Sequence, residues 1–258
     1  MNAKRIVLPL LVFAIVVIAW AAVVRLNDIQ PYVLPGPGLV AQTLFADWSV
    51  LSASLLVTLT TALEGFVAAS LGGIFLALIF NLSRQLEDAL LPYAIILQVT
   101  PVIAIAPLLL IYLDQQTAVI GCAFIVAFFP VLANTTLGLK SVDRNLGSLF
   151  ALYGASRWQS LLHLKLPAAL PYMLGGLRIA GGLSLIGAVV AEIAAGAAGS
   201  GSGLAYRIAE SSYRLNIPRM FAALLLLSLA GIVIYMLLAL VSYLSLRRWH
   251  DSALAERI

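Results

Sequence analysis

The sequence predicts an all-α polytopic membrane protein with six transmembrane helices. Of its 258 residues, 62% are hydrophobic and 10% are charged, whereas a water-soluble domain is about 45–50% apolar and about 25% charged. The apolar residues are gathered into six runs, each close to or above the roughly 20 residues that a spanning helix needs. Polar breaks separate the runs. These observations exclude a soluble globular domain.

The first apolar run, Ile6–Val24, follows Lys4 and Arg5. A basic front before an apolar stretch also occurs in secretory signal peptides, but no small-residue cleavage pattern precedes Arg25, and the run has the length of a span. We therefore expect residues 1–27 to form a retained first transmembrane helix.

Residues 28–50 are polar and rich in proline, which predicts an extracytoplasmic connection with a short amphipathic helix from Gly38 to Trp48. A second polar connection, a glycine-serine loop and the segment after it, extends from Gly196 to Pro218. Residues 51–246 hold the other spans and form a predicted five-helix core. The runs that predict these spans are Leu51–Leu82, Ala89–Leu113, Thr117–Leu139, Pro167–Ala195 and Arg219–Leu246.

Lysine and arginine are divided unequally between the two sides of the predicted bundle. With the N-terminus inside, ten of the basic residues lie in the cytoplasm and four outside, and Arg178 alone lies within a span. The positive-inside rule therefore predicts two cytoplasmic termini, with residues 247–258 as a cytoplasmic tail. The polar segment 140–166 is then cytoplasmic as well. The one cysteine, Cys122, cannot form an intramolecular disulfide.

The segment 140–166 is unusually long for a connection without structure of its own. Two short helices, Leu146–Tyr153 and Arg157–Leu164, are predicted in it because each has an apolar face, and Gly154–Ser156 forms the turn between them. Apolar faces on short helices in water need a surface to cover them. A partner protein and the bilayer surface explain the pattern equally well at this point.

Several stretches of this chain resemble the signature of ABC-importer permease subunits. Within that superfamily the chain is most similar to the nitrate/sulfonate/taurine branch, which also includes permeases for pyrimidine thiamine precursors and riboflavin. The matching stretches are Tyr153–Trp158, Leu164–Pro171, Gly176–Arg178 and Ala191–Glu192, extended by Val33–Pro37, Thr100–Leu108 and Phe128–Thr135.

The resemblance implies a type I ABC-importer permease fold in the bacterial inner membrane. Such a permease forms the translocation path for a small solute by alternating access, and it is not an enzyme. The implied partners are a second copy of the chain, a solute-binding protein outside and a separate ATPase subunit, which holds the ATP and Mg²⁺. No cofactor is expected in this chain. In agreement, no Gly-x-x-x-x-Gly-Lys-Ser/Thr phosphate-binding sequence occurs in it.

The same resemblance implies that the cytoplasmic loop couples the permease to its ATPase. One departure concerns the start of the motif, which often has Glu-Ala-Ala six residues before the glycine. This chain has Ser148, Leu149 and Phe150 there, so docking relies more on apolar contacts and on Arg144 or Arg157. The implied coupling residues are Gly154, Ala155, Ser156, Arg157, Leu164 and Pro167.

Polar side chains within the predicted spans are candidates for a translocation path. A charge at mid-membrane costs about 2.5–3.5 kcal/mol on insertion scales, so such residues usually face the bundle interior or a water-filled cavity. Gln98 and Thr100 precede Pro101, and proline frees a carbonyl and can kink a helix. The candidate path residues are Glu64, Gln98, Thr100, Asn134, Arg178 and Glu192.

These polar residues also have a purely structural interpretation. Arg178 and Glu192 lie within about 40° of one helix face, and the resemblance assigns both to a framework shared among different solutes. We therefore favour an interhelical hydrogen bond for these two. For Glu64, a place in the path and a packing role are equally supported, and a packing kink at Pro101 is as well supported as a path.

Glycines concentrate in the fifth apolar run, and small residues let membrane helices approach closely. We therefore expect two copies of the chain to meet along this span. The glycines are Gly175, Gly176, Gly181, Gly182 and Gly187.

Two other functions fit parts of the sequence. A secondary transporter driven by an ion gradient would use Glu64 or Glu192 as a proton site, but the inverted repeat typical of such proteins is not evident. A membrane-embedded enzyme is disfavoured because His163 and His250 lie outside the spans and no catalytic or metal-ligand spacing occurs. The net charge of +4 reports membrane topology, so no nucleic-acid partner is expected.

Overall fold

In a computed structural model of the chain, residues 3–196 and 201–247 are described. They contain helices and no strand, which confirms the all-α prediction. The predicted tail lies outside the described residues from position 248 onward, as do residues 197–200 of the glycine-serine loop. The helices are α1 (Ala3–Leu26), α2 (Pro37–Ala46), α3 (Trp48–Leu82), α4 (Arg84–Val99), α5 (Val102–Tyr112), α6 (Gln115–Lys140), α7 (Arg144–Leu152), α8 (Arg157–Ser160), α9 (Leu166–Ala195), α10 (Leu204–Tyr213) and α11 (Ile217–Leu246), with a π-helical turn (Leu161–Lys165) that joins α8 to α9.

Five of these helical stretches are long and apolar enough to cross a membrane. The predicted third span is divided into α4 and α5, which are bent by 98° at the break. Pro101 lies at this break, so the kink expected there is a complete interruption of the helix. The candidate spans are Val7–Leu26, Trp48–Leu82, Gln115–Lys140, Arg157–Ala195 and Ile217–Leu246.

The packing of α3 against α6 shows that α4 and α5 together make one crossing. Gly65 of α3 lies against Ala123, and Gly73, further along α3, lies against Val131, further along α6. The two helices therefore run in the same direction. The chain between them must return to the end at which α3 began, and α4 with α5 is the only chain available for it. The six predicted crossings agree with this count.

Helix α6 is the central helix of the bundle. Its residues Cys122, Ala123, Ala127 and Val131 are fully buried, and small side chains on neighbouring helices let the backbones approach it. Helix α9 packs against α6 in the opposite direction, because a Cβ at its Gly176 would lie 2.8 Å from Asn134 Cβ and one at Gly187 would lie 2.7 Å from the Cys122 carbonyl oxygen.

The residues divide into two compact units. The first comprises the described residues up to Thr58 and those from Gly196 to Ala230, and the second comprises Leu59–Ala195 and the described residues from Gly231. One boundary falls inside α3, after Thr58, and another inside α11, after Ala230. The units therefore divide the predicted segment 51–246, whereas the predicted segment 28–50 lies within the first unit.

The first unit has its own core, in which Val40 of α2, Leu51 of α3, Leu204 of α10 and Ala222 of α11 are buried together. The amphipathic helix predicted from Gly38 to Trp48 is present as α2. Helix α10 lies within the polar connection predicted from Gly196 to Pro218.

Gly187→Ala tests the close approach of α9 to α6. Its Cβ would meet the backbone at Cys122 and Ala123, which cannot rotate away, so we expect a loss of about 1–3 kcal/mol and a lower Tm in detergent. Gly147→Ala in α7 is the control, because no heavy atom lies within 4 Å of that position and alanine favours a helix over glycine by about 1 kcal/mol. Equal Tm values for the two variants would contradict the packing.

Candidate functional site

The cytoplasmic loop of the sequence prediction contains two helices joined by a tight turn, as predicted. Asp143 caps α7 by accepting from the backbone N–H of Asn145 at 2.6 Å. Gly154 follows α7 with φ +69°, a left-handed conformation that L side chains rarely adopt. Ser156 then starts α8 with a capping box, in which its hydroxyl and the Gln159 side chain bond each other's backbone N–H.

Helix α8 continues without interruption into the spanning helix α9. Pro167 has no N–H to donate to the His163 carbonyl, and the helix widens there into the π-helical turn, where the Leu166 N–H donates to the Leu161 carbonyl five residues back. Leu161 is buried in a cluster that includes Phe80 and Leu139. Helix α8, the π-helical turn and α9 therefore form one continuous helical stretch.

Two polar contacts connect residues of the segment 140–166 to α3 and α4. The Lys165 ammonium donates to Asn81 Oδ1 at the end of α3, at 2.7 Å. Lys140, the last residue of α6, forms an ion pair with Glu87 of α4. The first contact thus joins α3 to the turn before α9, and the second joins α4 to α6.

An apolar surface remains uncovered on α7 and α8. Leu152 is 85% exposed, Tyr153 84% and Trp158 63%. Within the described residues no element covers these side chains. A group of exposed apolar side chains of this size is a common mark of a protein interface. We call this surface the coupling surface; it comprises Leu149, Leu152, Tyr153, Trp158 and Leu162.

Of the predicted coupling residues, Gly154, Ala155 and Ser156 form the turn itself. Arg157 begins α8 and is exposed, Leu164 lies in the π-helical turn, and Pro167 follows that turn in α9.

The charged residues of the spans do not converge on one point. Glu64 is exposed on α3, whereas Glu192 is 2% exposed and lies within the bundle on α9. The Arg178 guanidinium lies over the Tyr235 ring of α11, 5.8 Å from its centre. Asn134 donates from its amide to the Pro130 carbonyl at 2.8 Å and packs against Gly176. This placement agrees with a packing role for Arg178.

Gln98 and Thr100 share a cavity of about 320 Å³ at the break between α4 and α5. The cavity is lined by the chain from Leu97 to Val102, by Ile125, Val126 and Pro130 of α6, and by Leu183 of α9. The Thr100 hydroxyl donates to the Ile96 carbonyl at 2.7 Å. Of the six candidate path residues, these two are brought together, and the other four lie elsewhere.

A cluster of ionic contacts in the first unit was missed by the sequence prediction. Glu210 of α10 pairs with Arg207 and Arg214, each at 3.0 Å, and Arg207 Nε donates to Ser54 Oγ of α3 at 3.1 Å. The hydrogen bond from Arg207, opposed by partial burial and helped by the charge of Arg214, lowers the pKa of Glu210. The spacing of three and four residues between these side chains is a helical signal that could have revealed α10.

Six apolar crossings, one of them broken at a cavity, and a pair of short helices with an exposed apolar surface define a polytopic membrane protein. The model of the family "binding-protein-dependent transport system inner membrane component" matches residues 69–253. The chain belongs to this family, and it is a permease component of an ABC importer for a small solute.

Curated relatives agree over most of their length. The chain is 35% identical to a probable ABC transporter permease protein of Haemophilus influenzae, covering 90% of this chain and 93% of that one. It is 35% identical to the riboflavin transport system permease protein RibX of Chloroflexus aurantiacus (92% and 88%). It is 33% identical to the formylaminopyrimidine transport permease protein ThiX of Halalkalibacterium halodurans (87% and 89%).

A solved structure shows the same fold. A chain in the crystal structure of an amino acid ABC transporter with histidines superposes with a TM-score of 0.62 at 18% identity, covering 77% of this chain and 95% of that one. At this identity the likeness concerns the fold alone.

Glu210→Gln tests the ionic cluster by its pH dependence. Because the pKa of Glu210 is lower in the folded protein than the ordinary 4.5, its charge stabilises the fold above about pH 4.5, and this contribution is lost as the pH falls through the lowered pKa. We expect a lower Tm for the variant at pH 7 and a smaller difference from wild type below about pH 4.5. Asp88→Asn, at an exposed position of α4, is the control. A Tm difference independent of pH would contradict the assignment.

Proposed function

We propose that this permease works as a homodimer with two separate ATPase subunits, which bind ATP and Mg²⁺, and with an extracytoplasmic solute-binding protein. The chain itself carries no catalytic residues in this proposal. Its solute belongs to the sulfonate, nitrate and taurine class or to the pyrimidine and riboflavin class of the branch it resembles. The observation that carries the proposal is the coupling surface, held on helices that continue into a span.

The coupling surface faces the cytoplasm in this proposal, and both termini lie on the same side. Support comes from the basic residues that lie at this end of the helical bundle, in agreement with the positive-inside rule. These residues are Arg84, Lys140, Arg144, Arg157 and Lys165.

Closure of the ATPase pair would move α7 and α8 as one piece. Continuous helix through the π-helical turn transmits that motion to α9, and the contacts of Gly176 and Gly187 with α6 transmit it to the central helix. The bundle then rocks between inward-open and outward-open states. Coupling needs no charge from the missing glutamate at Ser148, because the exposed side chains of the coupling surface are apolar.

The second copy of the chain packs on the outer face of α9. Ile179, Ile186 and Ile193, spaced by seven residues, are 50–54% exposed, and no heavy atom lies within 4 Å of a Cβ at Gly175 or Gly182. Gly181 has the opposite role, since it lies under Leu238 and Ile234 of α11. Of the neighbouring Gly181 and Gly182, only Gly182 is available to another chain.

Glu64 lies on the translocation path between the two copies. Its side chain is exposed on α3, and a carboxylate facing lipid at this depth is costly. Glu192, within the bundle, has a packing role. Uptake that follows an ion gradient without ATP, and that is lost in Glu64→Gln, would favour the alternative of a secondary transporter.

Gly154→Glu tests the coupling. The φ of +69° strains every residue with a side chain, so the substitution distorts the turn between α7 and α8. We expect loss of ATP-driven uptake, with normal amounts of the permease in the membrane by immunoblot. Gly201→Glu, at an exposed position with open space around it, is the control and is expected to transport normally. Normal uptake by Gly154→Glu would contradict the proposal.

Gly182→Cys tests the homodimer. In a Cys122→Ala background we expect an oxidant to produce a covalent dimer in membranes, visible by non-reducing electrophoresis. Gly181→Cys is the matched control, and we expect no dimer because that position faces α11 of its own chain. Failure of Gly182→Cys to crosslink, or equal crosslinking of both variants, would contradict this interface.

A further inference from the structure

The cavity at the break between α4 and α5 has the size and position of a solute site. Interrupted helices at membrane depth are tolerated where they line a cavity, and transporters use such breaks to bind solutes. Its volume of about 320 Å³ lies in the range of small-molecule sites, which are mostly apolar with a few polar groups.

Two prolines remove helical donors from carbonyls of residues that line this cavity. Pro101 cannot donate to the carbonyl of Leu97, and Pro130 cannot donate to the carbonyl of Val126, because proline has no N–H. Leu97 and Val126 both line the cavity. Each proline therefore withdraws the usual helical donor from the carbonyl of a residue that lines the cavity.

Gln98 provides the one side-chain amide in the lining. An amide has two N–H donors and one carbonyl acceptor, and glutamine pairs in a bidentate manner with the amino group and ring nitrogen of adenine. The same pair of groups occurs on any aminopyrimidine. The Thr100 hydroxyl is less available, because it donates to the Ile96 carbonyl.

The ten described residues that line the cavity include no charged side chain. An oxyanion such as nitrate or a sulfonate would lose its hydration there without gaining a cation, which is unfavourable in an apolar surrounding. The carbonyls of Leu97 and Val126 would add repulsion, whereas an uncharged ring with N–H groups would donate to them.

We propose that this cavity is a solute site of the permease and that it accepts an uncharged heteroaromatic solute with N–H groups, such as an aminopyrimidine, and discriminates against oxyanions. Gln98 pairs with the polar edge of the ring, and the apolar walls from α5, α6 and α9 cover its faces. This inference rests on the proposed function and selects one of the two solute classes left open there.

The test uses the importer reconstituted in proteoliposomes with its ATPase and binding protein. The probes are radiolabelled formylaminopyrimidine, riboflavin, nitrate and taurine, each with and without ATP. We expect ATP-driven accumulation of formylaminopyrimidine or riboflavin, and none of nitrate or taurine. Accumulation of nitrate or taurine alone would overturn the solute class.

Cavity variants separate the permease from the binding protein, which also selects the solute. We expect Gln98→Leu to lower uptake of the transported heterocycle by about tenfold or more, because the polar edge of the ring would lose its hydrogen-bonding partner in the cavity. Val102→Trp, which fills the cavity, should lower it further. Gln85→Leu, the same change on the same helix but outside the cavity lining, should leave uptake unchanged.

The outcomes for the function and for the site differ. A wild-type importer that accumulates none of the probes with ATP, and whose ATPase is not stimulated by the loaded binding protein, would contradict the proposed function. ATP-driven uptake of a heterocycle that is unchanged in both Gln98→Leu and Val102→Trp would overturn the cavity proposal alone.

Discussion

The close approach of α3 and α9 to α6 is the constraint on which the rest of the bundle depends. In a bilayer, apolar burial does little to bring helices together, so association relies on packing between small residues and on interhelical hydrogen bonds. Gly73, Gly176 and Gly187 provide the first, with backbone or Cβ atoms of α6 in direct contact. Ser184 of α9 provides the second by donating to the Ala62 carbonyl of α3.

Two prolines affect the helices around this packed centre in different ways. The break at Pro101 removes helix from one crossing and creates a cavity against α6, whereas the π-helical turn before Pro167 keeps the helix continuous. Proline therefore has opposite consequences in the two places. In the first case the residues around the break line a cavity, and in the second α8 and α9 form one continuous helical stretch, which the proposed coupling uses.

Local residue chemistry made several features predictable. The spans followed from apolar runs, and the turn at Gly154 followed from a glycine and a serine between two apolar helical faces. The sequence also indicated that Gln98 and Thr100 lie at one site, because both directly precede the helix break at Pro101. The helix α10 was missed because its sequence is polar and follows a glycine-rich stretch, although Arg207, Glu210 and Arg214 have helical spacing.

The sequence by itself determined the solvent of this protein, the number of crossings and the family, because composition, run length and motif spacing are properties of the chain. Only the tertiary structure decided which side of each helix is buried. Gly181 and Gly182 are neighbours of identical chemistry, yet one packs under Leu238 and the other faces outward. Likewise Glu64 is exposed and Glu192 is buried. Which face of a helix is buried depends on the rotation of that helix about its axis relative to its neighbours. Long-range packing sets this rotation, and local sequence does not.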